Sequence, residues 1–465
     1  MHTKIILLIT LISSLSALIF SFNSLPLIFG TTLFITFFSI ATIVLNKFKF
    51  RLLIIWHVGF FYIIGFEGLL HSDELILNYG LGTVGASQYL VFTFLMSNVG
   101  YLILSVLKLK HNKTVNLKAE NQNERMDIFI PSTFTYILIV VAYSVYLLIN
   151  FEVTLIALMS GRVINNDVGN VGVLYSIVNS VCSTILPAIL AFLFKYLRKS
   201  KHYIILSLLT SMPIILILFV QGTRYTILFS VAGLTLVLLG NVKIKMKNII
   251  LLVAVGILFL FLSEVMLESR GQGLVEYLDS EKEESTGEFI EMFYSREGVI
   301  KTNTWLIEYF DENPYKYGLS NSFILIFWIP RFIWPEKPTM LGHWLIREVQ
   351  PSGYGAGHSV SYGFAGDAYV DFGLIGGAIF SLFLGAFLFF LDRTNNKVSK
   401  SEFNILFVAI TIPFTFFAIR SFQTAFMNLV GMFLFLILFR MTLRIHTRFK
   451  ENHQVAKKDL QIKID

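Results

Sequence analysis

Long apolar runs separated by short polar ones set the reading of this chain. They fall near 5–22, 26–45, 52–70, 86–107, 129–150, 171–194, 203–220, 225–241, 248–265, 372–391, 403–419 and 423–442. Each is close to the roughly 17–25 residues that a helix needs to cross about 30 Å of hydrocarbon. None alternates with period two, which disfavours barrel strands and leaves helices to satisfy the backbone away from water. The pattern predicts an all-α polytopic membrane protein of about twelve transmembrane helices. The first run follows Lys4, lacks a small-residue cleavage pattern and is soon followed by another, so it reads as a permanent span rather than a signal peptide.

Charge then sets the orientation. With the N-terminus inside, most of the 37 Lys and Arg residues fall on the cytoplasmic side: at 47–51, 108–125, 195–201, 243–247, 393–400 and in the basic tail at 444–465. That is the bias expected of cytoplasmic loops, so both termini are expected inside. The exception is one large outer loop, 266–371, whose length exempts it from the rule. Within it Leu319–Trp334 (LSNSFILIFWIPRFIW) is apolar and aromatic but interrupted by Pro330 and Arg331. It is expected to be a re-entrant or interfacial segment. No composition shift or repeat marks a second domain, so 1–465 reads as a single transmembrane domain.

Composition narrows the function classes. The chain is 55% apolar and 14% charged, against roughly 25% charged in soluble domains. Its net charge of +7 is explained by topology and anionic headgroups, so membrane lipid and not nucleic acid is the expected partner. Cys182 lies in an apolar run with no second cysteine to pair with. There is no phosphate loop, HExxH, paired CxxC or Asp-x-Asp, and no cofactor or metal is expected. Few ionisable residues lie at mid-depth in the runs, which argues against an ion-coupled transporter.

The candidate chemistry gathers at the outer rim. Arg162, Arg224 and Arg420 occupy short outer loops against the charge bias. One such arginine alone can snorkel to lipid phosphates; three together suit forked, charge-assisted binding of a diphosphate. The stretch from Leu325 to Gly373 adds Arg331 and Lys337 around a Trp-Pro turn, then five glycines between Gly353 and Gly366. Tyr354, Tyr362, Phe364 and Tyr369 offer faces for sugar rings, while His358, Asp367 and Asp371 can take or hold a proton. A Gly-rich connector to the tenth span, with interfacial aromatics, is the bland alternative. Glu67, Asp73 and Glu74 form a second acidic group that topology alone can explain.

At these residues the sequence resembles the oligosaccharide repeat unit polymerases, the Wzy-type polymerases of O-antigen and capsular polysaccharide. The resemblance lies in the many-span plan, the large outer loop before the last three helices, Gly222–Arg224, and PRFIWPEKP followed by GDAYVDFGLIGG. Arg331 and Gly342 also match an Arg-x10-Gly spacing described for the family; Arg162 and Arg224 have no glycine at the matching position. The resemblance implies a fold like the membrane-embedded GT-C glycosyltransferases. It also implies metal-independent transfer of a glycan from undecaprenyl diphosphate to an incoming lipid-linked unit, on the outer face of the cytoplasmic (inner) membrane. A flippase and a chain-length regulator are the implied protein partners. On this reading Arg162, Arg224, Arg331, Lys337, Arg420 and Tyr362 bind substrate, and Asp367 or His358 is the base. An O-antigen ligase, another polyprenyl-linked glycosyltransferase with Asp73 or Glu74 as base, and a lipid-linked glycan flippase or exporter are the competing readings.

Overall fold

The computed structural model describes residues 51–111, 133–160, 172–197, 202–220, 224–239, 265, 273–279, 298–329, 333–349, 360–398 and 404–462. Among these there are helices and turns and no strands. Helix α1 runs Arg51–Phe60 and continues through a π-helical turn, Phe61–Gly65, to Leu70. It is followed by α2 (Ser72–Tyr79), α3 (Gly82–His111), α4 (Thr133–Ser160), α5 (Gly172–Phe192), α6 (Tyr203–Val220) and α7 (Arg224–Leu239). The chain continues with α8 (Leu274–Asp279), α9 (Val299–Glu312), α10 (Leu319–Ile326) and α11 (Leu341–Trp344), the last extended by a π-helical turn to Val349. The chain then forms α12 (Gly363–Val398), α13 (Asn404–Arg420) and α14 (Phe422–Ile462).

Six of these helices contain a segment long and apolar enough to cross a membrane, and α5, α7 and α13 contribute shorter apolar segments. The nine coincide with nine of the predicted runs; 5–22, 26–45 and nearly all of 248–265 lie outside the described residues. Burial shows what surrounds them. On α4, Val140, Leu148, Phe151, Leu155 and Met159 are all at least half exposed. Leaving such side chains in water costs roughly 1.5–3 kcal/mol each, so a helix with this many is at rest only in hydrocarbon.

The centre of the bundle is the pair α3 and α12, packed backbone to backbone. A Cβ added to Gly100 would overlap the main chain of Leu382, and one on Gly385 that of Ser97. Small residues permit this approach and the dispersion contacts that hold helices together in lipid. Trp56 of α1 donates its indole N–H to Ser97 Oγ at 2.8 Å. Farther along, buried Asp392 accepts from Tyr101 Oη at 2.8 Å and from the Leu52 amide at 3.3 Å, tying α1, α3 and α12 together.

Helix α12 would be about 54 Å long if straight, well beyond the thickness of a bilayer core. It breaks instead at Phe372 (φ −146°, ψ 19°) and Gly373 (φ 59°, ψ −145°). The left-handed φ at Gly373 favours glycine, and a Cβ there would come 2.6 Å from Tyr315 Oη. The break removes helical partners from two carbonyls. The amides of Lys316 and Tyr317 replace them, donating to Val370 O at 2.9 Å and Asp371 O at 3.1 Å. The arm 363–371 is thereby set apart from the longer arm 374–398. Around it pack α9, α10 and the start of α14.

Of Leu319–Trp334, expected to lie re-entrant or at the interface, the described residues form α10 and a turn after it, with 330–332 outside the described residues. They expose Leu325, Trp328 and Ile333. The basic tail continues α14 as helix to Ile462.

Candidate functional site

The short arm of α12 meets the turn between α13 and α14, and three of the predicted residues, Tyr362, Asp367 and Arg420, meet there. Tyr362, just before α12, is buried and shares a 3.0 Å hydrogen bond between its hydroxyl and Ser421 Oγ. Ser421 Oγ is in turn 3.0 Å from Thr424 Oγ1. Arg420 is the last residue of α13; its guanidinium is half-buried, 5.6 Å from the Phe417 ring centre, and within electrostatic reach of the Tyr362 phenol. Asp367 is fully buried one to two turns into the arm. Its carboxylate lies toward the backbone N–H groups of Phe422 and Gln423, at the positive end of α14. Neither oxygen reaches a well-formed hydrogen bond.

Asp371, four residues on, has a different task. Its carboxylate accepts from the Ser320 amide at 3.0 Å, the Asn321 amide at 2.8 Å and Asn321 Nδ2 at 2.7 Å. It therefore caps α10 from a distant part of the chain, supplying the acceptor that the first turn of a helix lacks. Asn321 Nδ2 also reaches the Asp367 carbonyl at 2.8 Å.

Lys337 is buried, and its ammonium donates to the carbonyls of Phe327 at 3.1 Å and Ile329 at 2.7 Å, closing the turn after α10. Lys316 lies with Nζ 3.2 Å from the centre of the Trp344 ring. Burial lowers its pKa to about 8, opposed by the nearby carboxylates of Asp371 and Glu348. Arg224 opens α7. Its side chain, and all of Arg162, Arg331 and His358, lie outside the described residues. Of the second acidic group, Glu67 is buried in α1, whereas Asp73 and Glu74 are exposed on α2, Glu74 pairing with His71 at 3.1 Å. Among the described residues no three His, Cys, Asp or Glu side chains converge as metal ligands.

The connecting residues were not singled out from sequence. Fully buried Gln423 accepts from the Leu341 amide at 3.2 Å and donates to Ser320 O at 3.0 Å, so one side chain joins α14 to both α10 and α11. Thr302 Oγ1 donates to Ser361 O at 2.6 Å, and Asn303 Nδ2 to Tyr362 O at 2.9 Å, fastening the approach to α12 onto α9. An uncharged polar side chain at the start of an apolar run was the available signal for Gln423. Nothing in the sequence distinguishes Thr302 and Asn303 from other polar residues of a loop.

The family model for O-antigen polysaccharide polymerase Wzy matches residues 3–450. The chain belongs to that family. It is therefore a multi-pass membrane protein of the Wzy group, a glycosyl-transferring polymerase that acts on lipid-linked oligosaccharide in polysaccharide biosynthesis. No curated protein and no solved structure matches the chain. The convergence of Arg420, Tyr362 and Asp367 is thus a property of this Wzy-family fold read from its own geometry.

Proposed function

We propose that this Wzy-family polymerase extends surface polysaccharide on the outer face of the cytoplasmic membrane, using undecaprenyl-diphosphate-linked repeat units, with the α13–α14 turn as its diphosphate site. A hydroxyl of the incoming unit attacks the anomeric carbon of the growing glycan. The new C–O bond forms as the bond to the diphosphate breaks, the hydroxyl proton passes to a base, and undecaprenyl diphosphate leaves. The departing group gains negative charge, which a fixed guanidinium stabilises more strongly in the transition state than before it. Arg420 is suited to this: it sits on a short turn between packed helices, beside a buried tyrosine and at the start of α14. That placement is the observation carrying the proposal. Arg162, Arg224 and Arg331 join it in holding the two diphosphates, and Tyr362 and Ser421 set the turn.

The two candidate bases separate on access. Asp367 is wholly enclosed and directed at the α14 amides, which supports a positioning role at the turn that carries Arg420. His358 then takes the hydroxyl proton.

The test is reconstitution of the purified chain with its lipid-linked repeat unit, followed by sizing of the glycan. Arg420→Ala removes the ladder of products, a loss of about 2.7–4 kcal/mol of transition-state stabilisation or a rate drop of about 10²–10³. Arg420→Lys restores part of it, because a point charge replaces the fork. A full ladder from Arg420→Ala refutes the assignment. Addition of finished glycan to a different acceptor would instead make the chain a ligase.

A further inference from the structure

Helix α9 carries a second, separate set of groups with the chemistry of sugar recognition. On its buried face Thr302 and Asn303 fasten Ser361 and Tyr362. On another face, at helical spacing, stand Lys301, Trp305, Glu308 and Glu312, a stripe about 16 Å long at 1.5 Å per residue. Facing it is the end of α2. Tyr79 packs edge-on to Trp305 with ring centres 6.2 Å apart. Lys301 Nζ lies 4.6 Å from the Trp305 ring centre and 5.2 Å from that of Tyr79. The residues that follow, Gly80 to Gly85, lead into the first helical turn of α3 and approach Glu308 so closely that a Cβ on Gly82 would come 2.9 Å from Oε1, whereas a Cβ on Gly80 or Gly85 would meet open space. Both rings are half-buried and Glu308 is exposed.

We propose that Tyr79, Lys301, Trp305 and Glu308, with these glycines as floor, form a glycan-binding subsite for sugars remote from the reacting bond. The two rings offer flat apolar faces to the C–H side of a pyranose. The ammonium and the carboxylate supply a donor and an acceptor for hydroxyl groups, and the bare glycines let a sugar reach the backbone. The site sits on the helix that positions Tyr362. Sugar held there is therefore registered against the diphosphate turn through a rigid element, and binding energy from non-reacting sugars is available to the transfer. A pair of rings anchoring the chain at the lipid interface would have no need of an ammonium and a carboxylate beside them or of the bare glycines. The inference rests on the substrate being a glycan and not on the assignment of Arg420.

The probe is a set of oligosaccharides released by partial acid hydrolysis of the host's own surface polysaccharide. It carries no lipid and no phosphate, and is offered to the full-length chain in nanodiscs with binding followed by saturation-transfer NMR. Trp305→Ala and Tyr79→Ala each weaken binding about tenfold, while Trp305→Phe, which keeps an aromatic face, loses less. Glu308→Gln, at an exposed position that does not threaten folding, also weakens binding. Equal binding by wild type, Glu308→Gln and the Tyr79→Ala/Trp305→Ala double variant overturns the proposal, as does no binding by wild type. Arg420→Ala separates the two readings. If it loses the polymer ladder but binds the oligosaccharides normally, both stand. If it keeps the ladder while Trp305→Ala loses binding, only the diphosphate assignment falls.

Discussion

Replacing Asp371 with asparagine isolates the contact that holds the short helix α10 to the broken helix α12. Its carboxylate receives three N–H donors at 2.7–3.0 Å, two from the backbone at the start of α10 and one from the Asn321 side chain. Hydrogen bonds to a charged acceptor contribute about 1.5–3 kcal/mol each, and neutral ones about 0.5–1.5 kcal/mol. Asparagine keeps one oxygen as an acceptor of lower strength and turns an NH2 group toward the remaining donors. The net loss is about 3 kcal/mol, equivalent to a roughly hundredfold rise in local opening. The amides of Lys316 and Tyr317 remain bonded to Val370 and Asp371 carbonyls, so the opening is confined to α10. Hydrogen–deuterium exchange in nanodiscs reads this directly. Peptides covering 319–326 exchange about a hundredfold faster in Asp371→Asn, while those from 374–395 are unchanged. Exchange in α10 that stays at the wild-type rate, in both Asp371→Asn and Asp371→Ala, would refute the view that this carboxylate is a cap.

Three further outcomes are expected. Gly385→Val forces a branched side chain into the main chain of Ser97 and destabilises the α3–α12 pair by about 1–3 kcal/mol or more; a wild-type thermal midpoint in detergent would contradict the backbone contact. Gln423→Leu strands the Leu341 amide and the Ser320 carbonyl, costs about 2–6 kcal/mol at roughly 1–3 kcal/mol per stranded group, and lowers polymer yield, as assayed by exchange across 319–349 and by glycan sizing. The third concerns Lys316, whose pKa burial lowers from 10.5 to about 8. Between those values the unfolded chain binds more protons than the native one, so its contribution to stability rises with pH from about 8 to 10.5, and the penalty for its charge is present in full below that window. The thermal midpoint of wild type relative to Lys316→Met therefore climbs across this range, and a flat difference would show that the ammonium is not desolvated.

Hydropathy and charge alone sufficed for the class. An apolar run of span length has one low-energy state in lipid, the helix, because every backbone group must find its partner within the segment. Each described apolar helix accordingly overlaps a predicted run, although α4, α12 and α14 extend well past its ends. The sequence also marked Arg420, Tyr362 and Asp367, through charges and aromatics out of place beside apolar runs. Their division of labour was decided by tertiary structure. Asp367 and Asp371 lie four residues apart on one arm, and as letters they are equal candidates. Only packing directs one at the first amides of α14 and gives the other to the cap of α10, fifty to fifty-one residues back along the chain. The break at Gly373, the touching backbones at Gly100 and Gly385, and the bridge made by Gln423 depend likewise on partners far away in sequence, and a local pattern carries no record of which distant groups will meet.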